Sequence, residues 1–274
     1  KRNRWIPFLH TNSRSNNMSI YEHFRQEEHG FIDQVLQWKE DVLHQYSPKL
    51  TDFLDPREQQ IVTAIVGTEG EVQVSFDGGQ PFAERKRALL YPDYYVPESE
   101  DFQLHMYELN YPKKFVTIEH PQVLGSAMSL GLRRSKFGDI LVAGDDIQLV
   151  AAEEISSYIE MNLTSIGKAK VSLSSIQREQ LHVVKEELIE HVYTVSSMRL
   201  DVLLSTIHNL SRQKVQPFIA NGAVKVNFKV IEQPSFECHE GDILSLRGHG
   251  RSRIVSLEGK TKKEKWRIVV GKQK

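Results

Sequence analysis

The sequence predicts an α+β protein, and three patterns carry that prediction. Between Ile20 and Tyr46, residues Phe24, Phe31, Ile32, Val35, Leu36, Trp38 and Val42 recur at spacings of three and four, the period of an amphipathic helix. Between Phe102 and Leu173, strand-like and helix-like segments follow one another in the order β-α-β-β-α-β. The last third holds two short helices with one apolar face each, followed by segments whose apolar residues alternate as in half-buried strands.

At 274 residues the chain is long enough for two or three small domains. Residues 1–17 contain no acidic residue, are rich in Asn, Ser and Arg, and precede Met18; they read as a non-native or upstream extension. A basic transit peptide is the rival reading, but Trp5-Ile6-Pro7-Phe8-Leu9 makes a poor amphipathic helix.

Residues 18–95 form a mostly helical N-terminal domain in this reading. Pro48 breaks the first helix, and Leu50 to Leu54 is a short connection. Asp55-Pro56-Arg57-Glu58 opens the next helix, with Asp55 as N-cap and Pro56 at the first helical position; Gly67 ends it after Val66. Val72 to Phe76 alternates as a strand and Asp77-Gly78-Gly79 turns. Phe82 to Leu90 is expected to be a helix with Glu84-Arg85-Lys86-Arg87 exposed, and Pro92 and Pro97 mark a boundary.

Residues 96–178 contain strands Phe102–Leu109, Phe137–Ala143, Ile147–Ala151 and Lys170–Leu173, with helices Pro121–Leu130 and Glu153–Met161. Their order is that of a ferredoxin-like domain. Many such domains bind RNA through aromatics on the sheet face, and no aromatic-rich motif of that kind is present here. Residues 179–195 are a charged linker that can supply one strand leading into the basic module.

From Ser196 to Lys274 the chain reads as one compact module. Leu200, Leu203, Leu204 and Ile207 share a helix face. Ser211 caps a second helix that turns Val215, Phe218 and Ile219 inward and stops at Asn221-Gly222. Pro217 would remove a backbone hydrogen bond there, so the helix either starts later or kinks. Strands Val224–Asn227, Ile243–Arg247, Arg253–Leu257 and Trp266–Val270 follow, with turns at Gly241-Asp242 and Glu258-Gly259.

Charge separates this module from the rest. The net charge of −1 hides 15 Lys and Arg against 7 Asp and Glu from Ser196 onward, a surplus of 8. Residues 1–195 hold 20 against 29, a deficit of 9. A basic module on an acidic body suits a polyanion held by one end. Arg199, Arg212, Lys214, Lys225, Arg247, Arg251 and Arg253 are the candidate phosphate contacts, with Lys262 and Lys263 in the run Lys260–Lys265. Arg199 and Arg212 also sit at helix starts, where backbone N–H groups favour phosphate. For Arg199 the alternative is an ion pair with Asp201. A second basic cluster, Arg133, Arg134 and Lys136, lies in a loop of the middle domain and is either a companion contact or a solvated loop.

The order Ser196 to Leu204, Ser211-Arg212, Gly222 to Asn227 and Gly241 to Arg251 resembles the S4 RNA-binding domain (the alpha-L fold). The whole chain is similar to bacterial S4-domain proteins of the YlmH type, through Thr51 to Glu58 and Gly131 to Ile140. The resemblance implies a non-catalytic protein of the bacterial cytoplasm that binds ribosomal RNA and tRNA on the large ribosomal subunit. It implies a role in ribosome-associated quality control, where a partner factor extends a stalled nascent chain with alanine. Two alternatives stay open: an RNA-modifying enzyme of pseudouridine-synthase type, and a cell-division-linked interaction protein.

Other chemistries find little footing. Arg199-Leu200-Asp201 also occurs around the catalytic aspartate of pseudouridine synthases, but here it opens the S4-like helix and leaves no separate catalytic domain. His182, His191, His208, His239 and His249 lack metal-ligand spacing, and Cys238-His239 alone cannot build a tetrahedral site, so no metal or cofactor is expected. There is no phosphate-binding glycine loop ending in Lys-Ser or Lys-Thr. The single cysteine excludes an internal disulfide and suits a reducing cytoplasm. No apolar run approaches the ~18 residues of a membrane span.

Overall fold

The computed structural model describes residues 21–273 except 23, 68, 69, 186 and 187. The extension read at residues 1–17 lies outside the described residues. The chain divides into two compact units, one up to Leu181 and one from His182. Among the described residues no helix is long and apolar enough to cross a membrane.

The first unit opens with α1 (His29–Gln45), which buries Ile32, Val35 and Val42 and ends at Tyr46 in the left-handed conformation. The segment expected as a plain connection is strand β1 (Lys49–Leu54). Helix α2 (Pro56–Val66) begins as its sequence dictates. Asp55 accepts from the Glu58 amide (2.9 Å), Glu58 accepts from the Asp55 amide (2.8 Å), and Pro56 fills the first helical position. Strand β2 (Val72–Asp77) follows.

The helix expected over Phe82–Leu90 is instead a turn and strand β3 (Lys86–Pro92), the centre of an antiparallel sheet ordered β1-β3-β2. Ala88 and Leu90 enter the core with α1 and α2, while Leu89 and Tyr91 enter a second cluster with Phe102. A short apolar run buried on both faces has no period that separates strand from helix. Arg85 and Arg87, expected on an exposed face, are buried. Arg85 Nη2 donates to the Phe53 carbonyl (2.9 Å) and Arg87 Nε to the Thr51 carbonyl (2.7 Å); Arg87 also pairs with Glu154 at 3.1 Å. Guanidinium groups tolerate burial when acceptors surround their five donors.

The rest of this unit is the expected ferredoxin-like module. In order come β4 (Leu104–Asn110), α3 (His120–Ser129), β5 (Phe137–Ala143), β6 (Asp146–Ala152) and α4 (Ser156–Asn162). A small hairpin, β7 (Ser165–Ile166) and β8 (Ala169–Lys170), precedes β9 (Ser172–Ser175), which starts two residues later than the strand expected at Lys170. The sheet is antiparallel and ordered β5-β6-β4-β9. Tyr107 faces α4, its hydroxyl donating to Glu160 at 3.0 Å.

The other face of this sheet is covered from within the same unit. A Cβ on Gly138 would lie 2.8 Å from the Phe53 ring, and one on Gly79 would lie 3.0 Å from Leu181 and 3.5 Å from Met106. The face that many ferredoxin-like domains offer to RNA is therefore occupied here by β1 and the Gly78-Gly79 turn.

The second unit begins with β10 (Leu188–Val195), a strand inside the segment read as a linker. It continues through α5 (Leu200–Ile207), α6 (Arg212–Ala220), β11 (Val224–Val226), β12 (Lys229–Val230), β13 (Ile243–Leu246), β14 (Gly250–Lys260) and β15 (Trp266–Gln273). Six strands form one antiparallel sheet in the order β10-β15-β14-β13-β11-β12. Leu200, Leu203, Leu204, Ile207, Val215 and Ile219 of the helices pack on Val224, Leu244, Leu246, Ile254, Ile268 and Val270 of the sheet. The turn expected at Glu258-Gly259 belongs to β14; the chain reverses at 261–265, where the Thr261 amide donates to the Lys265 carbonyl (2.8 Å).

Candidate nucleic-acid interface

The helical side of the second unit is organised by Asp201. This residue is 1% exposed and lies in the first turn of α5. It receives Nε and Nη2 of Arg199 at 3.1 and 3.2 Å, and Nη2 of Arg212 at 2.7 Å. Burial works to raise the Asp201 pKa, but the hydrogen bonds and charges of the two arginines outweigh it and hold the carboxyl below the usual range. Both arginines keep about half of their side-chain surface exposed, 45% and 53%. The carboxylate therefore fixes two guanidinium groups side by side on the surface.

The phosphate role expected for the start of α5 is not available to its backbone. The Leu200 and Asp201 amides donate to the carbonyls of Phe236 (2.8 Å) and Pro234 (3.1 Å), and the Val202 amide to Asp201 Oδ1 (3.0 Å). Amides already paired inside the protein have no bond left for a ligand. Helix α6 starts at the Ser211 cap as read, with Ser211 Oγ accepting from the Lys214 amide (3.3 Å). Pro217 lies within the helix without delaying its start. The carbonyl of Gln213, which Pro217 cannot bond, belongs to an exposed residue. Lys214 is exposed on this helix, and Arg247 is exposed in the β13–β14 turn, where its amide donates to the Ala223 carbonyl (3.0 Å).

The cations of β11 and β14 lie on another face of the module. Lys225, Ser245 and Arg251 are direct cross-strand partners, and Arg253 pairs with Ile243. Alternation places Lys225, Arg251 and Arg253 on the sheet face opposite Leu244, Leu246 and Ile254, hence opposite the helices. Arg251, expected beside Arg212 and Lys214, is on this outer face, with its guanidinium 5.3 Å from the Phe228 ring centroid. Phe228 is a contributor that sequence reasoning missed. It sits at φ 66° in the β11–β12 turn after Asn227 at φ 47°, a conformation rare for a bulky residue. The turn is fixed by Asn227, whose side chain bonds Asp242 (2.8 Å) and the Ile243 amide (2.9 Å). Lys262 and Lys263 are exposed at the tip of the β14–β15 hairpin.

The Arg133, Arg134 and Lys136 cluster is largely structural. Lys136 Nζ bridges Asp52 (2.6 Å) and Glu154 (2.9 Å), and Ser135 Oγ donates to Asp52 (2.9 Å). Arg134 Nη1 donates to the Phe137 carbonyl at 2.5 Å and the Gly138 carbonyl at 3.2 Å. Of the three, only Arg133 is exposed. The loop clips the ferredoxin-like module to β1, since Phe53 and Gly138 meet beside the same ion pairs.

Three family models match the chain in series. "YlmH, N-terminal" matches residues 27–95, "Putative RNA-binding domain in YlmH" matches 97–180, and "S4 domain" matches 198–244. The chain is 47% identical over 255 residues to the Bacillus subtilis (strain 168) protein "Ribosome-associated protein quality control protein P2", covering 93% of this chain and 99% of that protein. It is also similar to the solved structure "Cell division protein ylmH from Streptococcus pneumoniae", at 33% identity and a TM-score of 0.52, over 59% of this chain and 99% of that one. An S4 module that follows both YlmH-type modules, and a relative matched almost end to end, make this chain a member of the YlmH family of bacterial S4-domain RNA-binding proteins.

Proposed function

We propose that this chain is a non-catalytic RNA-binding protein of the bacterial cytoplasm that sits on the large ribosomal subunit, against ribosomal RNA and a peptidyl-tRNA held there. In this reading it acts in ribosome-associated quality control and steadies the tRNA while a partner factor adds alanine to the stalled chain. The near full-length relation to the Bacillus quality-control protein supports the setting. The observation that carries the physical part is the Arg199–Asp201–Arg212 cluster, with Lys214 exposed on the same helix as Arg212. Arginines held in place before binding lose less side-chain freedom when they meet phosphate, which favours recognition of a folded RNA of fixed shape. The outer-face cations Lys225, Arg251 and Arg253 give the module a second surface, as a junction of two RNAs requires.

The test is co-sedimentation of the full chain with purified large subunits carrying peptidyl-tRNA. The expected result is a bound fraction that Arg212→Ala with Lys214→Ala reduces at least tenfold in affinity. Absence of the wild-type chain from the large-subunit fraction overturns the ribosomal reading. Recovery only in ribosome-free protein complexes would favour the cell-division role that the pneumococcal protein's name carries. A modified base in RNA incubated with the chain would favour an enzyme.

A further inference from the structure

A groove runs between α6 and the β13–β14 turn. Its volume is ≈ 640 Å³, and Leu210, Pro217, Phe218, Ala223 and His249 form its apolar walls. Clefts that hold small ligands span about 300–1,000 Å³. The exposed ring of His249 stands 5.5 Å from the Phe218 ring at a steep angle. Behind it His208 packs 5.5 Å away; burial, then the charges of His249 and Lys272, hold its pKa down at about 4, so it is neutral near pH 7. Gln213 and Asn221 contribute amides to the groove lining and Lys214 a cation.

This combination is specific about its occupant. An apolar slot with an aromatic wall accepts a flat ring, amides of the lining can bond the edge of such a ring, and a lysine beside it can meet the attached phosphate. Arg212, two residues before Lys214 on the same helix, is held by Asp201 and does not line the groove. Pro217 lines the groove itself. The residue that departs from a regular helix pattern thus contributes a rigid apolar wall.

We propose that the groove between α6 and His249 receives a single unstacked nucleobase of the bound RNA, stacked on His249, with its phosphate at Lys214. The inference rests on the RNA-binding reading above and adds base capture to phosphate contact. RNA-binding proteins that read folded RNA commonly do so through bases splayed out of the helix, because the deep groove of an RNA duplex is closed to side chains.

The experiment probes naked bases and backbone separately on large ribosomal subunits bound by the full chain. Base-edge reagents (dimethyl sulfate and kethoxal) report the base, and hydroxyl radicals report the backbone footprint. Wild type is expected to protect at least one unpaired base within its footprint. His249→Ala should raise the protein concentration for half-protection of that base about tenfold, near the lower end of what one base–aromatic stack contributes. His249→Phe, which keeps a ring, should restore it, whether His249→Ala loses only that base or the whole footprint. Identical base protection in wild type and His249→Ala overturns the slot while leaving the RNA-binding reading intact. Equal loss in His249→Ala and His249→Phe also overturns it, since the ring is then not what matters. No backbone footprint from wild type removes both readings.

Discussion

Arg212 Nη2 lies 2.7 Å from a carboxylate oxygen of Asp201, eleven residues earlier and on the preceding helix. Arg199 donates to both oxygens of the same carboxylate. This one buried acid joins the starts of α5 and α6, and its titration should be visible in stability. Its folded pKa is depressed, so its stabilising contribution is complete above the unfolded value of about 4 and is lost as pH falls through the folded value. The thermal midpoint of wild type should therefore drop on acidification below about pH 4. Asp201→Asn should be less stable at pH 7 and should show a shallower drop in that acid window. Parallel melting curves of the two proteins between pH 7 and pH 2 check this; identical acid slopes would remove Asp201 as the linked group.

Arg212 and Lys214 should act as phosphate ligands. Each neutralised phosphate contributes about 0.7–0.9 to the slope of log affinity against log salt. The Arg212→Ala, Lys214→Ala double variant should flatten that slope by about 1.5, measured by titrating large-subunit RNA from low to physiological salt. An unchanged slope would assign the contact to other cations.

Lys136 and Arg133 should separate cleanly. Lys136 bridges Asp52 and Glu154 inside the first unit, whereas Arg133 is exposed. Lys136→Ala should cost about 1 kcal/mol of stability by leaving two carboxylates without their shared cation, and should leave RNA affinity unchanged. Arg133→Ala should be neutral in stability, within about 0.5 kcal/mol. Urea titrations together with RNA binding of both variants provide the check; weaker RNA binding by a normally stable Lys136→Ala would return that residue to the interface.

Gly138→Ala should destabilise by about 1–3 kcal/mol, because the new methyl group would sit 2.8 Å from the Phe53 ring in a filled core. Gly125 is the control. It lies exposed in α3 with nothing within 4 Å of an added Cβ, so Gly125→Ala should stabilise by about 0.5–1 kcal/mol. Denaturation midpoints of the two variants should move in opposite directions.

Local rules were legible wherever a few neighbouring residues are sufficient. The Asp55-Pro56-Glu58 start and the Ser211 cap lie where the sequence puts them, because a capping bond closes within four residues. The β-α-β-β-α-β order was readable because strand-like and helix-like segments follow one another along the sequence in that order. The strand at Lys86–Pro92 was not, since an apolar run flanked by arginines reads equally well as an amphipathic helix until both faces are seen to be buried. Burial of Arg85 and Arg87 depends on carbonyls contributed by Thr51, Phe53 and Gln103, which no window around residue 86 contains.

The sequence by itself determined that this chain carries a basic S4-type module, and it named the candidate cations for RNA contact. Only the tertiary structure decided how those cations are shared out. Asp201 draws Arg199 and Arg212 together on the helical side, strand alternation sends Lys225, Arg251 and Arg253 to the opposite face, and Asp52 and Glu154 claim Lys136. Charge is a property of composition, but which charges can act together depends on strand register and on carboxylates distant in sequence, and both come into being only when the chain closes on itself.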